Sequence, residues 1–289
     1  MTIAKPFLRW PGGKGTYLDL LHGQCPPGSI RAICVGGGAF EWSLRAKGRE
    51  VTLSDANDGL INAYKQVRDN LPRLLEALEK REATSAGFDA AKLRYNIGRG
   101  SRRDTVGAAA DLIQLNRMCF NGLYRENQDG HFNVAMDPGK LGCDLVREEL
   151  LTACSEALQG TPIHCLDFRV SIARAGRGDV VWFDSPYWPG PDTKGRTGLF
   201  GAELRPSFTA YTAAGFGSQD HHDALEALQA ARERGAWVLS TNAWEDGWVG
   251  RYRARGFQAL PFEAGRPIAC TQEGRATVSE VLFIGVPLA

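Results

Sequence analysis

The sequence predicts an α/β protein built on a doubly wound, largely parallel sheet. Apolar strand-like runs alternate with helical periodicity in the first and last thirds of the chain. Two of those runs end on an acid, Asp55 and Asp184, and a glycine turn, Gly36-Gly37-Gly38, separates the first strand from the first helix. In such sheets ligands bind beyond the carboxyl ends of the strands, near the point where strand order reverses.

Taken in order, Ser29 to Val35 reads as a short buried strand, and Ala39 to Leu44 as the start of a helix. Glu50 to Asp55 reads as the second strand. From Asp58 to Glu82 the apolar residues Leu60, Tyr64, Val67, Leu71, Leu74, Leu75 and Leu78 recur at helical spacing, which predicts a helical run. Residues 58–157 hold no convincing strand–helix alternation. They read as an inserted helical subdomain with a Gly/Asn-rich loop at 120–133, between catalytic segments 1–57 and 158–289. Alternation returns at Ile163 to Asp167, Asp179 to Phe183, Trp237 to Thr241 and Val278 to Val286. Leu225, Leu228 and Ala231 stripe a helix from His221 to Arg234.

Composition narrows the class. The 289 residues are 43% hydrophobic and 23% charged, ordinary globular values. No apolar run approaches the ~20 residues of a membrane helix, and the first residues lack a signal-peptide core. Seven cysteines, with neither a CxxC pair nor metal-ligand spacing, predict a reduced cytoplasmic chain without a metal. A net charge of +1 is no footprint of a wholly basic nucleic-acid binder. Locally, Lys92, Arg94, Arg99, Arg102, Arg103, Arg117 and Arg125 form a basic stripe, suited either to phosphates or to a solvated helix face.

The most informative residues are Asp184-Ser185-Pro186-Tyr187, which follow the apolar run Val180 to Phe183. A carboxylate and backbone carbonyls accept hydrogen bonds from an exocyclic amine, and a tyrosine stacks on the ring that bears it. The bland alternative is an ordinary strand-to-turn junction. Gly36-Gly37-Gly38 offers close backbone approach to a ligand, and Asp55, about 20 residues on, suits ribose hydroxyls. Glu41 breaks the G-x-G-x-x-G pattern, which argues against a pyrophosphate cofactor and leaves a smaller nucleoside open. Upstream, Trp10 and Lys14 flank Pro11-Gly12-Gly13 and offer an aromatic wall and a cation for a carboxylate.

These motifs occur in one order: Phe7 to Lys14, Val35 to Phe40, Asp55-Ala56-Asn57, Asn116-Arg117 with Phe120 to Arg125, and Asp184 to Tyr187. That order resembles the Dam-type (D12 class) DNA adenine-N6 methyltransferases. Further matches fall at Phe208 to Tyr211 and from Arg266 to Glu280. The resemblance implies a Rossmann-like seven-stranded methyltransferase sheet with an inserted helical target-recognition domain. It also implies S-adenosyl-L-methionine as donor and a flipped adenine of double-stranded DNA as acceptor, in GATC or a related short palindrome. By position it implies that Trp10, Lys14, Asp55, Asp167, Phe168 and Asp184 bind the cofactor. Asp184, Pro186 and Tyr187 form the catalytic set, with Asp184 and the next backbone carbonyl accepting from N6 and Tyr187 stacking on the base. Arg9, Asn121, Leu123 and Arg125 fall where the family reads bases, whereas Arg117, like Arg102 and Arg103, reads as a phosphate contact or surface charge. The expected setting is the cytoplasm of a prokaryote or a phage-infected host, with a cognate restriction endonuclease as the protein partner.

Two positions depart from the family pattern. Ala32 replaces the acid ahead of the glycine turn, and Ser185 replaces the commonest proline. A cytosine-N4 methyltransferase is the nearest rival, although its tetrapeptide often begins with Ser where Asp184 stands. A catalytically impaired DNA-binding homologue is the reading that Ala32 motivates. A Rossmann dehydrogenase is opposed by the absent G-x-G-x-x-G.

Overall fold

The computed structural model describes residues 4–98, 105–188, 215–265 and 277–288. The strands β1 (Ser29–Ile33), β2 (Val51–Asp55), β3 (Ile163–Cys165), β4 (Asp179–Phe183), β5 (Trp237–Ala243), β6 (Gln258–Gly265) and β7 (Thr277–Gly285) form one seven-stranded sheet, in the order β3-β2-β1-β4-β5-β7-β6. The pairs β2–β3, β1–β4 and β4–β5 are parallel, whereas β7 runs antiparallel to both β5 and β6. Strand order therefore reverses between β1 and β4, where Ile33 pairs with Phe183.

The chain divides into two compact units. One comprises Met1–Gln24 and Cys34–Asp167, the other Cys25–Ile33 and Phe168–Ala289. The helical segment 58–157 thus clusters with residues 34–57.

In the first unit, α1 (Leu18–Gln24) and α2 (Ala39–Ala46) are followed by α3 (Asp58–Asp69), α4 (Leu71–Glu79), α5 (Ser85–Ile97), α6 (Val106–Met118) and α7 (Glu148–Leu158). The single helical run expected over 58–82 is broken at Asn70. Pro72 lacks an N–H and its ring clashes with the preceding turn, so a new helix starts with proline in its first turn. Helix α6 is the hub of this unit. It packs against α3, α4 and α5, and Ala109 to Asn116 are all buried. Its buried Asp111 pairs with Arg94 at 2.7 Å and Arg81 at 3.0 Å. Arg94 is thereby withdrawn from the basic stripe. Arg99, Arg102 and Arg103 lie outside the described residues.

The second unit carries α8 (Phe168–Ala173), α9 (Ser218–Glu233) and α10 (Asp246–Ala254). Val180 to Phe183 of β4 are buried on both faces, as a central parallel strand requires. The sheet is less parallel than the sequence suggests because β7 runs antiparallel to both its neighbours, and its outer neighbour, β6, is a strand that the hydrophobic pattern hides. Pro261 and the exposed Gln258 and Glu263 mark it as an edge strand, and such strands carry no clean apolar run.

Candidate functional site

In the second unit Asp184 lies just past β4, at the reversal of strand order, and its backbone N–H donates to Ile33 O at 3.4 Å. Next to β4, strand β5 buries Ser240, Thr241 and Asn242 towards its carboxyl end, an expensive placement unless each polar group is used. Thr241 Oγ1 donates to Asp184 Oδ1 at 2.5 Å. The Trp188 backbone N–H donates to Asn242 Oδ1 at 2.7 Å. Tyr187 gives its hydroxyl proton to Glu280 Oε2 at 2.5 Å. Burial, and then the neighbouring charges of Asp184 and Glu280, push the Tyr187 phenol well above its ordinary pKa, so it stays a neutral donor.

Phe168 is buried against Phe183 and Phe216, with the Arg169 guanidinium 4.3 Å from its centroid. Asp167, at the end of the first unit, is exposed. Ser185 is buried and Pro186 half-buried beside Asp184.

The first unit assembles a second group of predicted residues. Asp55 ends β2 and accepts from the backbone N–H of Gly36 at 3.2 Å and of Asn57 at 2.9 Å. Burial pushes its carboxyl above the usual range, opposed by hydrogen bonds from the Asn57, Gly36 and Ala56 amides. A carboxylate has about four lone-pair positions, so these amides leave acceptor capacity for sugar hydroxyls. Lys14 is 4% exposed and donates from Nζ to Gly12 O at 2.6 Å, a buried ammonium of the kind a carboxylate ligand calls for.

The glycine turn differs from expectation in what presses on it. Gly36 has φ +51°, and a Cβ there would stand 2.7 Å from Trp10 Cδ1. A Cβ on Gly38 would meet the Tyr64 hydroxyl at 2.8 Å. The glycines make room for the protein's own aromatic rings. Trp10 also stacks on Tyr124 with 4.9 Å between centroids and 16° between planes.

Tyr124 belongs to a short hairpin over 119–136. Antiparallel bridges join Cys119 to Met136 and Glu126 to Phe132, and Asn127 Oδ1 caps the turn by accepting from the Asp129 and His131 amides. Side chains alternate as in any strand pair. Gly122, Tyr124, Glu126, Phe132 and Val134 are buried, whereas Asn121, Leu123, Arg125 and Asn133 lie on the other face. Arg125 Nε donates to Asn133 Oδ1 at 2.8 Å. Asn121 adopts φ +54°, a conformation asparagine tolerates.

Arg9 joins this group. A Cβ on Gly122 would fall 2.6 Å from Arg9 Cβ. Buried Asn116 clamps the same segment: its Oδ1 accepts from Arg9 N at 2.8 Å, and its Nδ2 donates to Arg9 O at 2.8 Å and Gly122 O at 3.1 Å. Arg117 is not brought into the group, since its guanidinium donates to Asp144 O at 3.1 and 3.3 Å.

Sequence reasoning gave no role to Thr241 and Asn242, named Glu280 only as part of a matching segment, and did not foresee the clamping by Asn116. The signal for the first two is a polar Ser-Thr-Asn run closing an otherwise apolar strand next to β4. Among the described residues no group of His, Cys, Asp and Glu is arranged to hold a metal ion, and no helix is long and apolar enough to cross a membrane.

The sequence profile of D12 class N6 adenine-specific DNA methyltransferases matches residues 10–244. The chain is 32% identical over 284 residues to a DNA N-6-adenine-methyltransferase of Escherichia phage P1, an alignment covering 97% of this chain but only 35% of the phage protein. Identity to the type II methyltransferase M.MjaIII of Methanocaldococcus jannaschii is 30% over 288 residues, covering 94% of this chain and 95% of that one. Identity to the DNA adenine methylase of Escherichia coli is 28% over 242 residues, covering 82% and 80%. With the profile spanning well over half of its length, and with its motifs held at strand ends and on a hairpin, the chain belongs to the D12 class N6 adenine-specific DNA methyltransferase family.

Proposed function

We propose that this protein methylates N6 of an adenine flipped out of duplex DNA, in GATC or a related short palindrome, with S-adenosyl-L-methionine as donor. The observation that carries the reading is the carboxylate of Asp184 at the reversal of strand order, oriented by Thr241 and followed by a tyrosine held through Glu280. Family membership supports the cofactor, and the acid, buried ammonium and glycine turn of the first unit suit a zwitterionic nucleoside. Asp55 would take the ribose hydroxyls, and Lys14 the amino-acid carboxylate. When bound, the cofactor supplies an activated methyl group.

The chain's own part is positional and electrostatic. Asp184 and the Ser185 carbonyl accept hydrogen bonds from the N6 amine, which raises the nucleophilicity of that nitrogen and aligns its lone pair. Tyr187 stacks on the flipped ring. Residues 58–157 serve as the recognition domain, with Arg9, Asn121, Leu123 and Arg125 on base edges. Arginine is suited to guanine, and a hairpin fits the major groove. Burial, followed by the positive charge of Arg117, lowers the pKa of Arg147, with Arg9 adding in the same sense. A field of that sign favours the phosphate backbone. The type II relatives support a restriction–modification setting with a cognate endonuclease as partner.

The test is methylation of a mixed-sequence DNA pool, read by methylation-sensitive digestion and mass spectrometry of the nucleosides. N6-methyladenine confined to one short palindrome is expected. N4-methylcytosine in its place would overturn the acceptor assignment.

A further inference from the structure

The hairpin that carries Asn121, Leu123 and Arg125 is short, and isolated bridges join its strands at Cys119–Met136 and Glu126–Phe132. A lone two-stranded hairpin is marginal in water, so its register needs support from outside. Helix α5 gives that support with two consecutive residues that reach opposite strands. Tyr95 takes the outgoing strand. Tyr124 gives its hydroxyl proton to Glu126 Oε1 at 2.5 Å, which leaves its oxygen to accept from the Tyr95 hydroxyl at 3.2 Å. Asn96 takes the returning strand. Its Oδ1 accepts from the Phe132 backbone N–H at 2.8 Å, and its Nδ2 donates to the Phe132 carbonyl at 3.2 Å.

Those Phe132 groups form the outer edge of the hairpin. Across the hairpin the strands bond through the residues on either side, Asn127 N to His131 O at 2.9 Å and Asn133 N to Arg125 O at 3.1 Å. The N–H and C=O of Phe132 therefore point away from the partner strand. One turn earlier on α5, Lys92 Nζ reaches Val134 O, the next carbonyl along that edge, at 3.5 Å. The Asn96 amide stands where a third strand would. Phe132 is 1% exposed, so its backbone groups need partners, and satisfying them would by itself account for an asparagine. The position of Asn96 does more than that. Asn133, next in the chain, lies on the outward face, where its Oδ1 accepts from Arg125 Nε at 2.8 Å. A one-residue slip of the returning strand would turn Asn133 inward and part it from Arg125. We propose that Asn96 is a positioning residue for base reading: by pairing with Phe132 it fixes the register of the returning strand, so that Asn133 and Arg125 face DNA as a pair. This rests on the reading of the hairpin as the part that meets bases.

Selectivity separates this role from a merely stabilising one. Single-turnover methylation is measured with the full chain on a duplex carrying the motif that the pool experiment identifies, and on duplexes with one pair of that motif altered. The proteins are wild type, N96L, R125A and N96L/R125A. Leucine keeps the shape of asparagine and makes neither bond. N96L is expected to lose about tenfold in discrimination at the pair that Arg125 reads, the scale of two neutral hydrogen bonds. Its affinity for S-adenosyl-L-methionine, read by calorimetry, should stay within about twofold. The double variant should discriminate as R125A does, since Asn96 acts through that side chain. Should N96L not fold, N96D keeps the acceptor, loses the donor and is held to the same outcomes. Wild-type discrimination in N96L while R125A is relaxed, an equal loss of rate on every duplex, or a double variant less selective than R125A overturns the Asn96 assignment alone. R125A with an unchanged motif overturns the reading of the hairpin, and this proposal with it.

Discussion

Thr241 Oγ1 gives its proton to Asp184 Oδ1 across 2.5 Å, linking the carboxyl ends of two neighbouring parallel strands. The bond fixes the plane of the carboxylate, and on the proposed reading of Asp184 a fixed acceptor needs no reorganisation when the amine arrives. Thr241→Val keeps the shape and removes the donor. It should slow methyl transfer by the ~0.5–1.5 kcal/mol of a neutral hydrogen bond, while Thr241→Ser stays near wild type. Single-turnover rates of the two variants decide it.

Removal of the proposed acceptor itself should have a larger effect. Asp184→Ala should abolish methyl transfer and leave cofactor binding mostly intact. A variant retaining more than about a tenth of the wild-type rate, a loss under ~1.4 kcal/mol, would sink the assignment. Rates are read beside calorimetric titration of S-adenosyl-L-methionine.

Asp55→Ala should act in the opposite way, raising the dissociation constant for S-adenosyl-L-methionine by the ~1.5–3 kcal/mol of a charged acceptor. Because the same carboxylate holds the Gly36 and Asn57 amides, the variant should also melt earlier. Unchanged affinity in a titration would reduce Asp55 to a loop-stabilising acid.

Arg125→Ala should cost about 1–3 kcal/mol of discrimination at one guanine-containing pair and relax the motif there. Arg117→Ala, whose guanidinium rests on the Asp144 carbonyl, should weaken binding equally on all sequences. Methylation profiling of a random-sequence pool separates the two. A uniform loss in Arg125→Ala with an intact motif would make Arg125 a phosphate contact.

Gly36→Ala tests the joint between the glycine turn and Trp10. A left-handed residue with its Cβ 2.7 Å from Trp10 Cδ1 should destabilise the fold by about 1–3 kcal/mol, measured as a lower denaturant midpoint. Gly142→Ala, also at positive φ but with nothing within 4 Å of the new Cβ, isolates the backbone share of that cost.

The parts of this protein legible in its sequence are those where one short segment carries both the fold signal and the chemistry. Asp184 to Tyr187 follow an unbroken apolar run, and Asp55 closes a strand, so both could be placed without coordinates. The partners of these residues were not legible, because Thr241 lies 57 residues and Glu280 93 residues further along the chain. The same distance effect misdirects the basic stripe. Nothing in residues 92–103 reveals that Arg94 is neutralised by Asp111 on another helix. The glycine turn was legible as a turn, but not as a seat for Trp10, which precedes it by 26 positions in the numbering. The hairpin's outward face followed from period-two alternation only once Tyr124 and Phe132 were seen to be buried.

The clamp of Asn116 on Arg9 and Gly122, with Trp10 stacked on Tyr124, bears on how new target sequences arise in this lineage. On the proposed reading of the hairpin as the part that meets bases, it is not a free cassette. A transplanted hairpin fits only if it brings a glycine at 122, where any side chain would strike Arg9, and a flat ring at 124 to lie on Trp10. Positions 123, 125 and 133 are outside that seam and can vary without disturbing it, whereas 121 is limited to residues that tolerate its left-handed backbone. On that reading, a change of target sequence is expected to fall on the outward residues of this frame, and a wholesale exchange of the hairpin should carry the N-terminal segment with it.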